Sequence, residues 1–232
     1  VDYSAFVDLV RSCKTCPLGV KGVGVPGALF YDGKRVAIDN APLPPDPSYS
    51  SLMIIAEAPG NVEQDQGWPV MGSSGELMHA MLNEVGVMFY YVTNIVKHQP
   101  WKLRGKQQPP NAVAIKACSP YLDLEFTMIQ PTRLILLGKI AAKLALLGNI
   151  SIGKEVGTTV EYRGLPALIL YHPAYFLHNR TSRWVNKQMK DWKKAVQVFM
   201  GERPNEYKVE KVECPNHGAE STVLPVVGED GC

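Results

Sequence analysis

Residues 52–75, LMIIAEAPGNVEQDQGWPVMGSSG, constrain the chain more than any other stretch. Leu52, Met53, Ile54 and Ile55 form a continuous apolar run, the pattern of a strand covered on both faces. The run ends in Ala56-Glu57-Ala58-Pro59-Gly60, small and turn-forming residues that redirect the chain where the strand stops. Gly67, Pro69 and Gly72 follow. Ser73-Ser74-Gly75-Glu76 then predicts a helix N-terminus, with a capping serine and a glutamate in the first turn. Ligands of parallel α/β sheets sit in the crevice outside the carboxyl ends of the strands. Glu57 stands at that edge. Taken alone, the stretch is also compatible with a solvent-facing βα loop, so the other strand tips decide.

Those tips can be read along the chain. Residues 2–12 have helical periodicity, and residues 74–85 continue the first βα unit as a helix. Residues 89–96, FYYVTNIV, are a second strand rich in aromatic and β-branched types, delivering Asn94 near its end. Residues 134–137 are a third strand, with a helix expected over 140–147. Residues 165–171 are a fourth, ending in His172-Pro173-Ala174. Between the second and third strands a helical stretch carries Cys118, and Pro120 is expected to begin a fresh helix capped by Ser119. A long amphipathic helix is expected over 181–200, with Trp184, Trp192, Val196 and Phe199 inward. Strands alternating with helices specify an α/β fold with a mainly parallel sheet.

With 232 residues the chain holds one full core and at most a small appendage. The division expected is a domain over 1–200 and a charged, glycine-ended appendage over 201–232. A net charge of +2 announces no global field for nucleic acid, so any basic surface is local. No apolar stretch reaches the ~20 residues that span a bilayer, and no signal-peptide pattern opens the chain. The expectation is a cytoplasmic monomer without a membrane partner.

Five cysteines, an odd number at uneven spacing, argue against a disulfide framework. Cys13-x-x-Cys16 precedes any strand, which favours metal or cluster ligation over a thioredoxin-like redox pair. Cys214-Pro-Asn-His217, with Cys232, has half the donors of a zinc knuckle and lacks an evident fourth.

Glu57, Asn94 and His172 each follow a buried strand, and sheet topology brings three such tips to one ligand. Together with their neighbours they resemble a known family. AEAPG (56–60), Glu63, G-x-P-x-x-G (67–72), TNIVK (93–97) and HPA (172–174), with the cysteine pair upstream and Cys118 in a helix, are similar to the iron–sulfur branch of the uracil-DNA glycosylase superfamily, usually called family 4. That branch carries GEAPG, E-D, G-x-P-F-V-G, T/S-N-x-V-K-C and HPA. The resemblance covers about residues 9–200. It implies a three-layer sandwich with a central four-stranded parallel sheet flanked by helices, and a flipped base held at the strand tips. Base contacts are expected from Asn94, Val70, Trp68, Met71, Ala58 and Gly60. The chemistry suits these residues independently. Breaking an N-glycosidic bond creates an oxocarbenium-like sugar, which a carboxylate (Glu57) can stabilise while orienting water, and a base anion, which an imidazole (His172) can hydrogen-bond. An amide (Asn94) can read a Watson–Crick edge.

The sequence departs from that pattern at several points. The aromatic that stacks on the flipped base is Val70 here, which enlarges the pocket unless Trp68 or Met71 takes its place. The fourth cysteine is His98, so Cys13, Cys16, Cys118 and His98 are the expected ligands of a 4Fe–4S cluster or, alternatively, of zinc. The basic motif ending in a reactive histidine, found in a cross-linking branch, is absent from residues 102–106, so covalent trapping of DNA is not supported. Glu63-Gln64 stands for glutamate–aspartate, and a proline-rich stretch over 31–50 is longer than usual for the family.

A local DNA surface is expected from Lys97, Lys102, Arg104 and Lys106 after Asn94, and from Arg180 after His172. Arg183 and the lysines of the last helix read as its continuation or as a solvated face. Tyr175, Phe176 and Leu177 are expected to form an apolar wedge filling the gap left by a flipped nucleotide. The function expected is a monofunctional DNA glycosylase, acting on a C5-enlarged pyrimidine of phage DNA in a defence role. The alternatives are ordinary uracil repair and a catalytically weak damage-binding protein.

Overall fold

The computed structural model describes residues 2–20, 22–36, 51–146, 150–201, 210–213 and 220–224. The chain opens with α1 (Tyr3–Arg11), whose Asp2 caps the helix by accepting from the Ala5 N–H at 2.7 Å. A hairpin, β1 (Ala28–Tyr31) and β2 (Lys34–Val36), leads to β3 (Leu52–Ala56), α2 (Asn61–Gln66), α3 (Ser73–Glu84) and β4 (Phe89–Asn94). A small hairpin, β5 (Lys102–Leu103) and β6 (Lys106–Gln107), precedes α4 (Ala112–Ile129) and β7 (Arg133–Leu137). Then come α5 (Gly138–Ala142), α6 (Ile152–Glu155), β8 (Thr159–Tyr162), β9 (Leu165–Leu170), α7 (Ala174–His178), α8 (Val185–Gly201), β10 (Glu210–Glu213) and β11 (Glu220–Leu224).

The centre of the sheet is four parallel strands in the order β4-β3-β7-β9. Side chains alternate across it as the pleat requires. Leu52, Ile54, Ile135, Leu137, Leu168 and Leu170 face the layer of α3 and α8, while Met53, Ile55, Leu134, Leu136 and Ile169 face that of α1 and α4. The three-layer α/β architecture is therefore that expected. Antiparallel strands widen the sheet on both sides, giving the order β10-β11-β8-β9-β7-β3-β4-β1-β2. β11 pairs through Val223 and Leu224 with Val160 and Thr159 of β8. The proposed ligands Cys214, His217 and Cys232, and the proline-rich residues 37–50, lie outside the described residues. No helix among those described is long and apolar enough to cross a membrane.

Three expectations about helices are not met. Pro120 does not start a helix; it sits inside the continuous α4. Proline lacks the N–H that should reach the Lys116 carbonyl, and the Ser119 hydroxyl donates to that carbonyl instead, at 3.1 Å. Trp184 does not face inward. It lies in the turn before α8, 55% exposed, with the Arg183 guanidinium over its ring. The buried stripe is Val185, Trp192, Val196 and Phe199, and Trp184 is one residue, about 100°, out of phase with it. The expected helix over 140–147 is shorter, ending as α5 at Ala142.

Candidate active site

The four parallel strands end level. Ala56 pairs with Asn94, Ile55 with Leu136, and Leu137 with Leu170, so residues one or two beyond each end gather on one edge. A cleft of about 700 Å³ opens there, lined by Glu57, Asn94, His172, Val70, Ala58 and Gly60, and also by Leu177 and Arg180. The three strand-tip residues thus come together as the sequence predicts.

Each is held in a defined state. The Ala174 N–H donates to His172 Nδ1 at 3.2 Å, so Nδ1 is an acceptor and the imidazole hydrogen sits on Nε2. Burial pushes the His172 pKa down to about 4, although Glu63 pulls it up, so the ring is neutral near pH 7. Burial pushes the Glu57 carboxyl above the usual range. Asn94 is buried, and its backbone carbonyl accepts from Lys97 Nζ at 3.0 Å.

Lys97 does not belong to the DNA surface. It is wholly buried, 2.7 Å from Glu125 Oε2, and it also donates to Thr93 at 2.6 Å. Glu125 in turn accepts from Tyr91, Thr93 and the Gly27 N–H. A buried ion is tolerated only when paired and hydrogen-bonded this fully. Through Thr93 and the Asn94 carbonyl, Lys97 ties the end of β4 to α4.

Glu63 is a positioning residue of the loop. Its carboxylate accepts from the Gly60 N–H at 3.0 Å and from the Gly72 N–H at 2.8 Å, tying both ends of the cleft wall together. A Cβ at Gly60 would stand 2.6 Å from that carboxylate, so a larger residue there displaces the Glu63 side chain. Replacing Glu63 by glutamine turns an amide NH2 towards one of these donors. Hydrogen bonds to charged groups are worth about 1.5–3 kcal/mol, and a loss of about 2 kcal/mol in unfolding free energy is expected from urea titration.

Val70 lines the cleft in a left-handed conformation, φ +53°, which a β-branched residue rarely adopts. Its carbonyl fills the space where a Cβ at Gly75 would stand, 1.7 Å away, locking the loop onto the start of α3. Trp68 and Met71 are not among the cleft-lining residues. Arg11 and Arg35 lie over the Trp68 indole, at 4.8 and 4.2 Å from its centroid, and Met71 packs against the core.

The expected wedge is reduced to one residue. Successive residues of α7 point about 100° apart. Phe176 is buried in the core, Tyr175 stacks on Tyr171 at 4.2 Å, and Leu177 alone of the three faces the cleft. Lys102, Arg104 and Lys106 are exposed on the β5–β6 hairpin, whose Arg104-Gly105 turn has both φ values positive. On α8, Lys187 pairs with Asp191 and Lys193 with Glu84, as on a solvated face.

On the far side of β4, Cys13, Cys16, Cys118 and His98 are all buried. Both His98 nitrogens lack a hydrogen-bond partner, and burial followed by the nearby Lys14 charge pushes its pKa down to about 4. Burial raises the Cys13 thiol, but hydrogen bonds with Thr15 and Tyr121 and the Lys14 charge leave it lowered overall. Burial leaves Cys118 raised, although the Lys97 N–H points at its sulfur from 3.4 Å. A neutral, unpartnered imidazole among buried thiols is a donor set suited to a soft metal centre. Among the described residues no three His, Cys, Asp or Glu side chains group around a single ion.

Residues 45–204 match the model of the family described as the uracil DNA glycosylase superfamily. The chain belongs to that superfamily. Its relatives include three proteins named type-4 uracil-DNA glycosylase. That of Pyrobaculum aerophilum is 28% identical over 217 residues, 87% of this chain and 94% of the relative. That of Saccharolobus solfataricus is 31% identical over 83% of this chain and 84% of its own length. That of Thermotoga maritima is 28% identical over 80% and 88%. The similarity places the chain in the iron–sulfur, family 4 branch of the superfamily. The protein is a DNA glycosylase, an enzyme that hydrolyses N-glycosyl bonds in DNA.

Proposed function

We propose that this glycosylase excises a pyrimidine carrying a substituent at C5, and that Val70 is what admits it. The observation that carries the reading is the cleft wall: Val70 lines the cleft, and neither Trp68 nor Met71 supplies an aromatic there. Bases enlarged at C5 occur in some bacteriophage genomes, so such an enzyme would serve defence. A second reading, excision of plain uracil, is favoured by the shared name of the relatives. The test is incubation with oligonucleotides bearing uracil or C5-enlarged pyrimidines, followed by alkaline cleavage of abasic sites. Cleavage only at uracil would reject the first reading.

In either case Glu57 orients the attacking water and offsets positive charge on the sugar. The Nε2–H of His172 donates to the base oxygen on which negative charge develops, and a neutral donor there does so without surrendering a proton to a weak base. Asn94 reads the base edge with one donor and one acceptor. Leu177 and Arg180, in the cleft lining, meet the nucleotide there, while Lys102, Arg104 and Lys106 meet phosphates.

The ionisation states predict the acid limb of kcat/KM. Glu57 works as the anion and its pKa is raised; His172 works neutral and stays so until about pH 4. Lowering the pH from neutrality therefore removes activity by protonating Glu57 before His172. A pH profile should show this limb above the range of an ordinary glutamate. If the residual activity of Glu57→Gln keeps the same limb, another group sets it.

Cys13, Cys16, Cys118 and His98 are the residues that would hold a 4Fe–4S cluster in this reading. Bound there, it would tie together the loop after α1, the segment after β4 and α4. A brown protein with about four irons per chain is expected, and His98→Cys should keep the colour. Stoichiometric zinc in a colourless protein would reject the iron assignment.

A further inference from the structure

A second cavity, of about 290 Å³, adjoins the cleft. Its walls include Leu18 from the cysteine loop, Gln64 at the end of α2, and Gln99, Pro100, Trp101 and Lys102 leading into the β5–β6 hairpin. No step described for Glu57, Asn94 and His172 uses it. The lining combines an indole, an ammonium group and two carboxamides. That is the chemistry of a nucleobase seat: a flat ring to stack on, amides to meet a base edge, and a cation for phosphate.

The two cavities share a wall. Gln99 Nε2 donates to Asn61 Oδ1 at 2.7 Å and to Gln107 Oε1 at 3.3 Å, and both acceptor residues line the catalytic cleft. The Gln99 N–H donates to Gln64 Oε1 at 2.9 Å, and Gln64 Nε2 donates to the Val23 carbonyl at 2.5 Å, so the amides are held in place. Lys102 pairs directly with Gln107 across the hairpin. Directly opposed side chains share one face with Cβ atoms about 5 Å apart. Yet Lys102 lines the second cavity and Gln107 the first. The hairpin therefore stands between the two cavities, which lie side by side.

We infer that this cavity seats the base adjacent to the excised one on the same strand, with Trp101 as its stacking platform and Gln64 and Gln99 against its edge. The enzyme then reads a dinucleotide rather than a single base. Lys102 meets the phosphate between the two. This inference rests on the cleft being the base-excision site, and its test separates the two ideas.

The experiment uses short single strands in which the nucleotide on one side of the target base is replaced, in turn on each side, by an abasic spacer. For the wild-type protein the spacer should lower kcat/KM about tenfold on one side, the loss expected from one base–aromatic stack. Trp101→Ala should lose about tenfold on intact DNA and nothing further with the spacer; Trp101→Phe should restore most of the loss. A spacer penalty as large in Trp101→Ala as in the wild type would overturn the inference. A second reading avoids excision altogether. In a Glu57→Gln background, 2-aminopurine placed beside the target should be quenched on binding, and the quench should vanish with Trp101→Ala. Equal quenching in both proteins would also overturn it. Because fluorescence reports seating alone, a quench in a protein that excises none of the bases offered supports the seat while counting against the base-excision reading.

Discussion

Replacing Glu57 by glutamine is expected to lower kcat about 100–1000-fold while leaving DNA affinity nearly unchanged. The carboxylate acts on charge that is absent from the ground state, so its loss falls on kcat and not on binding. Glutamine keeps the shape of the side chain at the tip of β3, where burial already disfavours the anion. The neutral side chain can still touch water, but it cannot take its proton or balance an oxocarbenium-like sugar. His172→Ala should cost a similar factor for the complementary reason, because it removes the Nε2–H that meets the departing base anion. The double variant should lose far less than the product of the two, since both groups serve one transition state. Single-turnover rates and equilibrium binding to a target-bearing strand measure the two quantities separately. Equal loss of affinity and rate in Glu57→Gln would place the residue in binding alone.

The central sheet was legible because each of its strands is an unbroken apolar run, and such runs have few other places to go. The strand tips followed from it, and with them Glu57, Asn94 and His172. Features that depend on a distant partner were not legible. Lys97 reads as one more cation in a basic loop, and only α4, which brings Glu125 against it 28 residues on, makes it a core residue. Phe176 and Leu177 look alike in a string of letters, and a five-residue helix gives one to the core and the other to the cleft. The antiparallel edges carry a local signal of their own. Asp32-Gly33, Arg104-Gly105 and Arg163-Gly164 all have positive φ values and each closes a two-residue hairpin, and Asp-Gly is among the strongest such signals. The second cavity was invisible because its walls come from three segments whose nearness the chain order does not show.

Val70→Phe is expected to reverse the substrate preference. Two effects of opposite sign meet at this position. A phenyl ring on the cleft wall stacks on a flipped uracil, and stacking is worth about 1–3 kcal/mol, or roughly 5–150-fold in rate or affinity. The same ring occupies the room that a C5 substituent needs, and forcing two groups into one space costs about 1–3 kcal/mol more. The ratio of kcat/KM for the enlarged base to that for uracil should therefore fall by about a hundredfold or more. The backbone does not oppose the change. Residue 70 sits at φ +53°, where the strain of a β-branched side chain is greater than that of an unbranched one, so phenylalanine relieves part of it. The Val70 carbonyl, which meets Gly75, is unaltered by the substitution. Trp68 cannot substitute for the missing ring without leaving Arg11 and Arg35, so the wild-type protein should show the ratio at its highest. Kinetics on matched strands bearing uracil and a C5-enlarged pyrimidine measure the ratio in both proteins. If the wild type cuts uracil efficiently and ignores the larger base, the valine makes no functional room. Plain uracil is then the substrate, and Val70→Phe should change little beyond a modest gain in stacking.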